Sequence, residues 1–219
     1  MKIEINVPDS LKEITLGQYQ KFEKLNTEEN KDTTFLLQKM VQIFCNLDLK
    51  DVATIKYKSV KEVIKHLNKV FDVKTDLIPT FKLQGVEYGF IPVLDNMTLG
   101  EYIDLDTYLG DWENMHKAMS VLYRPITLNN KNRYNIEDYK ESDNTELFKD
   151  MPLDIAMGSL VFFWNLNNEL LQITLRYLNQ EAKKMNMEKR LALEESGVGI
   201  NQSMDSLRKM LPSLMISQN

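Results

Sequence analysis

A six-residue pattern occurs twice in this chain, as Ile14-Thr15-Leu16-Gly17-Gln18-Tyr19 and as Met97-Thr98-Leu99-Gly100-Glu101-Tyr102. Both copies have the chemistry of a helix start. The Thr15 or Thr98 hydroxyl can accept a hydrogen bond from a backbone N–H three residues on. Gln18 or Glu101, at that third position, can return one to the N–H of the cap itself. Ile14 with Tyr19, and Met97 with Tyr102, stand at the spacing of a hydrophobic staple across the same turn. The repeat therefore predicts helices opening near 16 and 99. Its polar groups are committed to capping, so it is architectural.

The remaining periodicity is mostly helical. Leu37, Met40, Val41 and Phe44 recur at the three-four spacing of a buried stripe over 34–46, after a polar loop over 26–33. A short turn follows at 51–55. Ser59 with Glu62 reads as a third capping box, opening a helix whose apolar side carries Val60, Val63, Ile64, Leu67, Val70 and Phe71. The period then changes to two over 80–90. Gln84-Gly85 marks a hairpin turn that pairs Leu83 with Val86 and Phe81 with Tyr88, and this face needs cover. Ile3 and Ile5 suggest a short opening strand.

Beyond the second cap, Gly110 ends a helix and Asp111 can cap another, with Trp112, Met115, Met119, Leu122 and Tyr123 on its apolar side. Arg124-Pro125 stops that helix, and 129–145 reads as an ordered polar loop or short turns. Asp150 and Pro152 suit the cap and first turn of a long helix to about 184. The expected fold class is mainly α with a small antiparallel hairpin (α+β). One helical domain spans 1–184, and 185–219 forms a flexible linker and tail. In that tail Met204, Leu207, Met210 and Leu211 could line one side of a short helix that docks on a partner or frays.

Charge narrows the function classes. With 27 basic against 32 acidic residues the net charge is −5, which argues against nucleic acid as a partner. The run 155–164 is half the length of a membrane span, and the N-terminus lacks the apolar run of a signal peptide. A soluble protein of a reducing cytoplasm is expected. Its lone Cys45 lies in the apolar run 41–45, as a core residue does.

Asp95, Glu101, Asp104, Asp106, Asp111 and Glu113 crowd into one stretch without an intervening Lys or Arg. Paired carboxylates can perform acid–base work or bind hard cations. Here Asp104 and Asp106 stand two apart, so they diverge on a helix, and Glu101 is engaged in capping. A solvated acidic face is expected, or a docking face in which Asp104, Asp106, Asp111 and Glu113 meet a partner. His66 and His116 cannot assemble a zinc site alone. No nucleophile motif, phosphate-binding glycine loop or dinucleotide fingerprint is present. The expectation is a protein with no catalytic residue, metal or cofactor.

One string carries a resemblance. Tyr88-Gly89-Phe90-Ile91-Pro92-Val93-Leu94-Asp95, then 99–106, Asp111-Trp112, 115–119 and Val121-Leu122-Tyr123-Arg124-Pro125-Ile126, together with the opening 7–19, resembles a family of tailed-bacteriophage proteins found among virion morphogenesis genes. In size and helical character that family is similar to tail assembly chaperones. The resemblance covers about half of the chain and brings no catalytic residue. It implies a protein of the host cytoplasm that binds other virion proteins, either the tape-measure protein or tail and connector proteins. Its alternative is a structural component of the virion itself.

Overall fold

In a computed structural model the chain is described at residues 5–31, 33–130, 133–140 and 145–182. Both repeated helix starts form. Thr15 opens α1 (Leu16–Glu23): its hydroxyl accepts from Gln18 N at 3.1 Å, and Gln18 Oε1 accepts from Thr15 N at 2.8 Å. Thr98 opens α5 (Leu99–Tyr108) with the matching pair to Glu101, at 3.3 and 2.5 Å. Between them lie α2 (Thr34–Phe44), capped by Thr33, α3 (Leu49–Val52) and α4 (Tyr57–Phe71). The Ser59–Glu62 box does not open α4. The helix begins two residues earlier, with Lys56 at the N-cap and no side-chain cap, so Ser59 stands inside the first turn. There Lys61 Nζ sits 4.7 Å from the centre of the Tyr57 ring, one turn away.

The sheet is larger than the hairpin read from the sequence. Strands β1 (Thr80–Leu83) and β2 (Val86–Phe90) pair as expected, Phe81 opposite Tyr88 and Leu83 opposite Val86. Gln84 and Gly85, at φ 47° and 84°, supply the two left-handed residues of the tight turn. Two further strands complete a four-stranded antiparallel sheet in the order β1-β2-β3-β4. Strand β3 (Tyr123–Asn130) follows α6 (Met115–Leu122) with no loop, and β4 (Arg133–Ile136) occupies part of the supposed loop. The fold is therefore α+β, not a helical domain carrying a hairpin. Pro125 stops α6 as expected, but the chain continues extended. The first part of β3 pairs with β2, Tyr88 opposite Pro125, and the rest pairs with β4 past an irregularity between Ile126 and Leu128.

Cover for the hairpin comes from later in the chain. Phe148, in a 3-10 turn over Thr145–Asp150, packs edge-on against Tyr88 at 5.3 Å, and Phe162 packs against Phe90 at 5.6 Å. Leu83, Tyr88 and Phe90 are buried, whereas Val86 at the hairpin tip is exposed. Phe162 and Phe163 belong to α7 (Leu153–Ala182), whose 30 residues run about 45 Å at 1.5 Å per residue. Its first turns are the centre of the core. Leu153 N donates to Ile14 O at 2.8 Å and Leu16 N to Met151 O at 2.9 Å, so the starts of α1 and α7 are tied together. Pro152 precedes the first helical residue, and Asp150 ends the preceding turn instead of capping α7.

A satellite cluster of Val41, Cys45, Val52 and Val60 fills the space among α2, α3 and α4. Burial pushes the Cys45 thiol up to about 11. Residues 5–8 are not strand, and Ile3 lies outside the described residues. The linker over 185–202 and the tail residues Met204, Leu207, Met210 and Leu211 also lie outside them.

Candidate functional site

Although the two capped helices share a start, they differ in what surrounds them. In α1 the staple residues Ile14 and Tyr19 are fully buried, and the Tyr19 ring meets Trp112 at 4.6 Å. In α5 only Glu101 and Leu105 are buried. Leu99 is 74 % exposed and Tyr102 59 %, with Ile103 also open. This surface forms one wall of a groove of about 690 Å³, in which Met97, Tyr102, Leu105 and Leu109 are joined by Phe163 and Leu166 of α7. Asp106 and Asn167 are its polar lining groups besides Thr98. The apolar stripe runs on along α7 through Leu170, Ile173 and Tyr177, all at least half exposed. With Phe163 and Leu166 these recur every three or four residues, which keeps them on one side of the helix. An apolar patch of this kind on a folded chain marks an interaction surface.

The acidic stretch does not form one face. Glu101 turns inward: Oε2 caps α5 while Oε1 pairs with Arg124 Nη1 at 2.7 Å, both side chains being largely buried. Arg124 also lies over the Tyr139 ring, and the Tyr139 hydroxyl donates to Asp104. Asp104 thus serves a structural bond, and only Asp106 lines the groove. Asp111 caps its 3-10 turn by accepting from Glu113 N at 2.9 Å, and Glu113 pairs with Lys24 on α1. The expected docking residues Asp104, Asp106, Asp111 and Glu113 are dispersed over three surroundings. Sequence reasoning missed Arg124, although it is the sole arginine between 95 and 126. It also missed the α7 stripe, whose three-four spacing was legible beyond the conspicuous Phe162-Phe163-Trp164.

A second, polar cleft of about 620 Å³ lies between α1 and α6. Here Gln20 Nε2 is 2.7 Å from Trp112 O, 3.1 Å from Glu113 O and 3.0 Å from His116 Nδ1. The two carbonyls require the amide nitrogen at that position, which makes Nδ1 the acceptor and places the imidazole proton on Nε2. Nε2 lies 3.2 Å from Glu146 Oε1, off the line of a good hydrogen bond. Burial first, then Lys149 and Lys117, hold His116 below its ordinary range, against the pull of Glu146. The unfolded chain therefore takes up a proton there more readily than the folded one, and stability falls as pH drops below about 6.5. Urea unfolding of the native chain and His116→Gln at pH 7.5 and 5.5 checks this. The native chain should lose more stability between the two pH values than the variant does; equal losses would remove His116 as the cause. The other histidine holds the N-terminal segment, with His66 Nε2 3.1 Å from both Pro8 O and Asp9 Oδ1.

Among the described residues no group of three or more His, Cys, Asp or Glu could hold a metal ion, and no helix is long and apolar enough to cross a membrane. No family model matches the chain, and no curated protein or solved structure matches it significantly.

Proposed function

We propose that this chain is a non-enzymatic assembly protein of a tailed bacteriophage, acting in the host cytoplasm as a tail assembly chaperone that binds other virion proteins. The observation that carries the reading is the open apolar groove between α5 and α7 with its continuation along α7. Such a surface gains free energy by covering the apolar side of another chain, at about 25 cal/mol per Å² removed from water. A client shielded in this way, the tape-measure protein foremost, stays soluble until its tube assembles. The resemblance of the 7–19 and 88–126 strings to phage morphogenesis proteins suggests the setting.

Co-expression with the tape-measure protein of the same genome should raise its soluble fraction several-fold and allow the two to be purified together. Full-length Leu99→Asp/Ile173→Asp should lose this by about tenfold or more, since a charge buried in an apolar contact is strongly penalised. No change in solubility and no co-purification would sink the proposal. Mass spectrometry of purified particles separates the structural reading: a chaperone is missing from mature virions, whereas a component is present at fixed copy number.

A further inference from the structure

We propose that the apolar side of α7 is an interface between two copies of this chain, packed antiparallel so that Tyr177 of the partner subunit fills the groove between α5 and α7. Such a dimer needs no client, so it stands apart from the function proposed above.

Phe163, Leu166, Leu170, Ile173 and Tyr177 follow one another at steps of three, four, three and four residues. This is the 3.5-residue repeat of a coiled-coil seam, along which one helix meets another. Phe163 and Leu166 line the groove, but among the described residues of 169–177 none is buried. The seam there has no cover from the described residues of its own chain. The exposed area is of the size that a second copy requires. Leu99, Tyr102, Ile103, Leu170, Ile173 and Tyr177 are each half to three-quarters exposed and together present roughly 600–700 Å², close to the roughly 800 Å² per partner of a stable interface.

Charge sets direction and register. With Phe163, Leu170 and Tyr177 at the a positions and Leu166 and Ile173 at d, Glu169 and Arg176 are successive g positions. Both are exposed, and neither has an ion-pair partner among the described residues. Arg176 Nε donates to Gln172 O at 3.1 Å, one turn back, and the two Nη groups are the donors for a carboxylate. Antiparallel packing sets g beside g, so Glu169 meets Arg176 of the partner subunit and the two-fold axis repeats the pair. Leu170 then lies opposite the partner's Ile173, and Leu166 opposite the partner's Tyr177. Leu166 is a groove residue, so each groove of about 690 Å³ receives the Tyr177 ring of the other copy between Tyr102, Leu105 and Phe163. Its hydroxyl comes to Asp106 and Asn167, polar groups of the same lining. Parallel packing sets g beside e, leaves Glu169 next to Thr174 with its charge unmatched, and brings no Tyr177 to either groove.

Sedimentation of the full-length chain at concentrations up to about 100 μM should show a dimer. Ile173 is half exposed, so Ile173→Asp spares the fold and should weaken the dimer about a hundredfold. Glu169→Arg alone or Arg176→Glu alone sets like charges together and should weaken it about tenfold, and the combined exchange should restore it. Oxidative cross-linking reads the direction. Cys45 is buried with its thiol pushed up to about 11, so it contributes little reactivity. A mixture of Leu166→Cys and Tyr177→Cys chains should link about tenfold faster than either variant alone, because like positions stand about 16 Å apart along the antiparallel axis. A chain that stays monomeric overturns the proposal, whether or not tape-measure protein co-purifies with it. A dimer indifferent to Ile173→Asp, a combined exchange as weak as the single ones, or linking as fast by either variant alone as by the mixture overturns it as well.

Discussion

Glu101→Ala should lower the unfolding free energy by about 4–6 kcal/mol, measured by urea denaturation. Two losses combine. Thr98 N loses the carboxylate that completes its capping box, worth roughly 1 kcal/mol. Arg124 is left as a buried cation without its carboxylate, the costlier consequence, because breaking a buried pair from one side costs about 3–5 kcal/mol. Arg124 cannot readily recruit a substitute, since its Nε already has no hydrogen-bond partner. The double variant Glu101→Leu/Arg124→Met removes both charges and should recover much of the loss, leaving mainly the cap. If Glu101→Ala costs no more than an ordinary cap, the pair contributes nothing and the charged link from α5 to β3 is incidental.

Gly158→Ala should destabilise by about 2 kcal/mol or more, although alanine is favoured over glycine inside a helix by about 1 kcal/mol. Gly158 lies in the buried part of α7, where a Cβ would stand 2.2 Å from Asp76 O and 2.9 Å from Asp76 C. Both are backbone atoms, so relief requires moving the segment between α4 and β1. The counterpart is Gly100→Ala in α5, whose added Cβ meets nothing nearer than Tyr139 Cε1 at 4.0 Å. There propensity acts alone, and the variant should gain up to about 0.5–1 kcal/mol. Thermal or urea unfolding of the two variants should therefore show shifts of opposite sign. A stabilised Gly158→Ala would mean that the close approach of α7 to Asp76 is wrong.

Several elements were legible because their causes are local. The capping boxes at Thr15 and Thr98 involve atoms three residues apart, and the Gln84-Gly85 turn sets its register through two left-handed residues. Strand β4 was not legible. Its residues Arg133–Ile136 are polar or half-buried, and they become a strand only because β3 passes from β2 and offers them an edge. The false third box shows the same limit from the other side. Ser59 and Glu62 have the right chemistry, yet α4 starts at Tyr57, where packing of the whole helix against α2 outweighs one optional cap.

The candidate site divides along the same line. The apolar positions of α5 and α7 can be read from spacing, but spacing cannot distinguish a stripe that meets a core from one that meets solvent. The two copies of the repeated motif make this concrete. A Cβ added at Gly17 would stand 3.0 Å from Lys149 O and Tyr19 is 1 % exposed, while a Cβ at Gly100 would meet nothing nearer than Tyr139 Cε1 at 4.0 Å and Tyr102 is mostly exposed.

What the sequence alone determined was where α1 and α5 begin and where the hairpin turns, since those choices are made within three or four residues by hydrogen bonds and backbone sterics. The tertiary structure decided which identical start is interior and which borders a groove, and that Glu101 is matched by an arginine 23 positions away. Burial depends on what the rest of the chain brings alongside, and no short window of residues contains that.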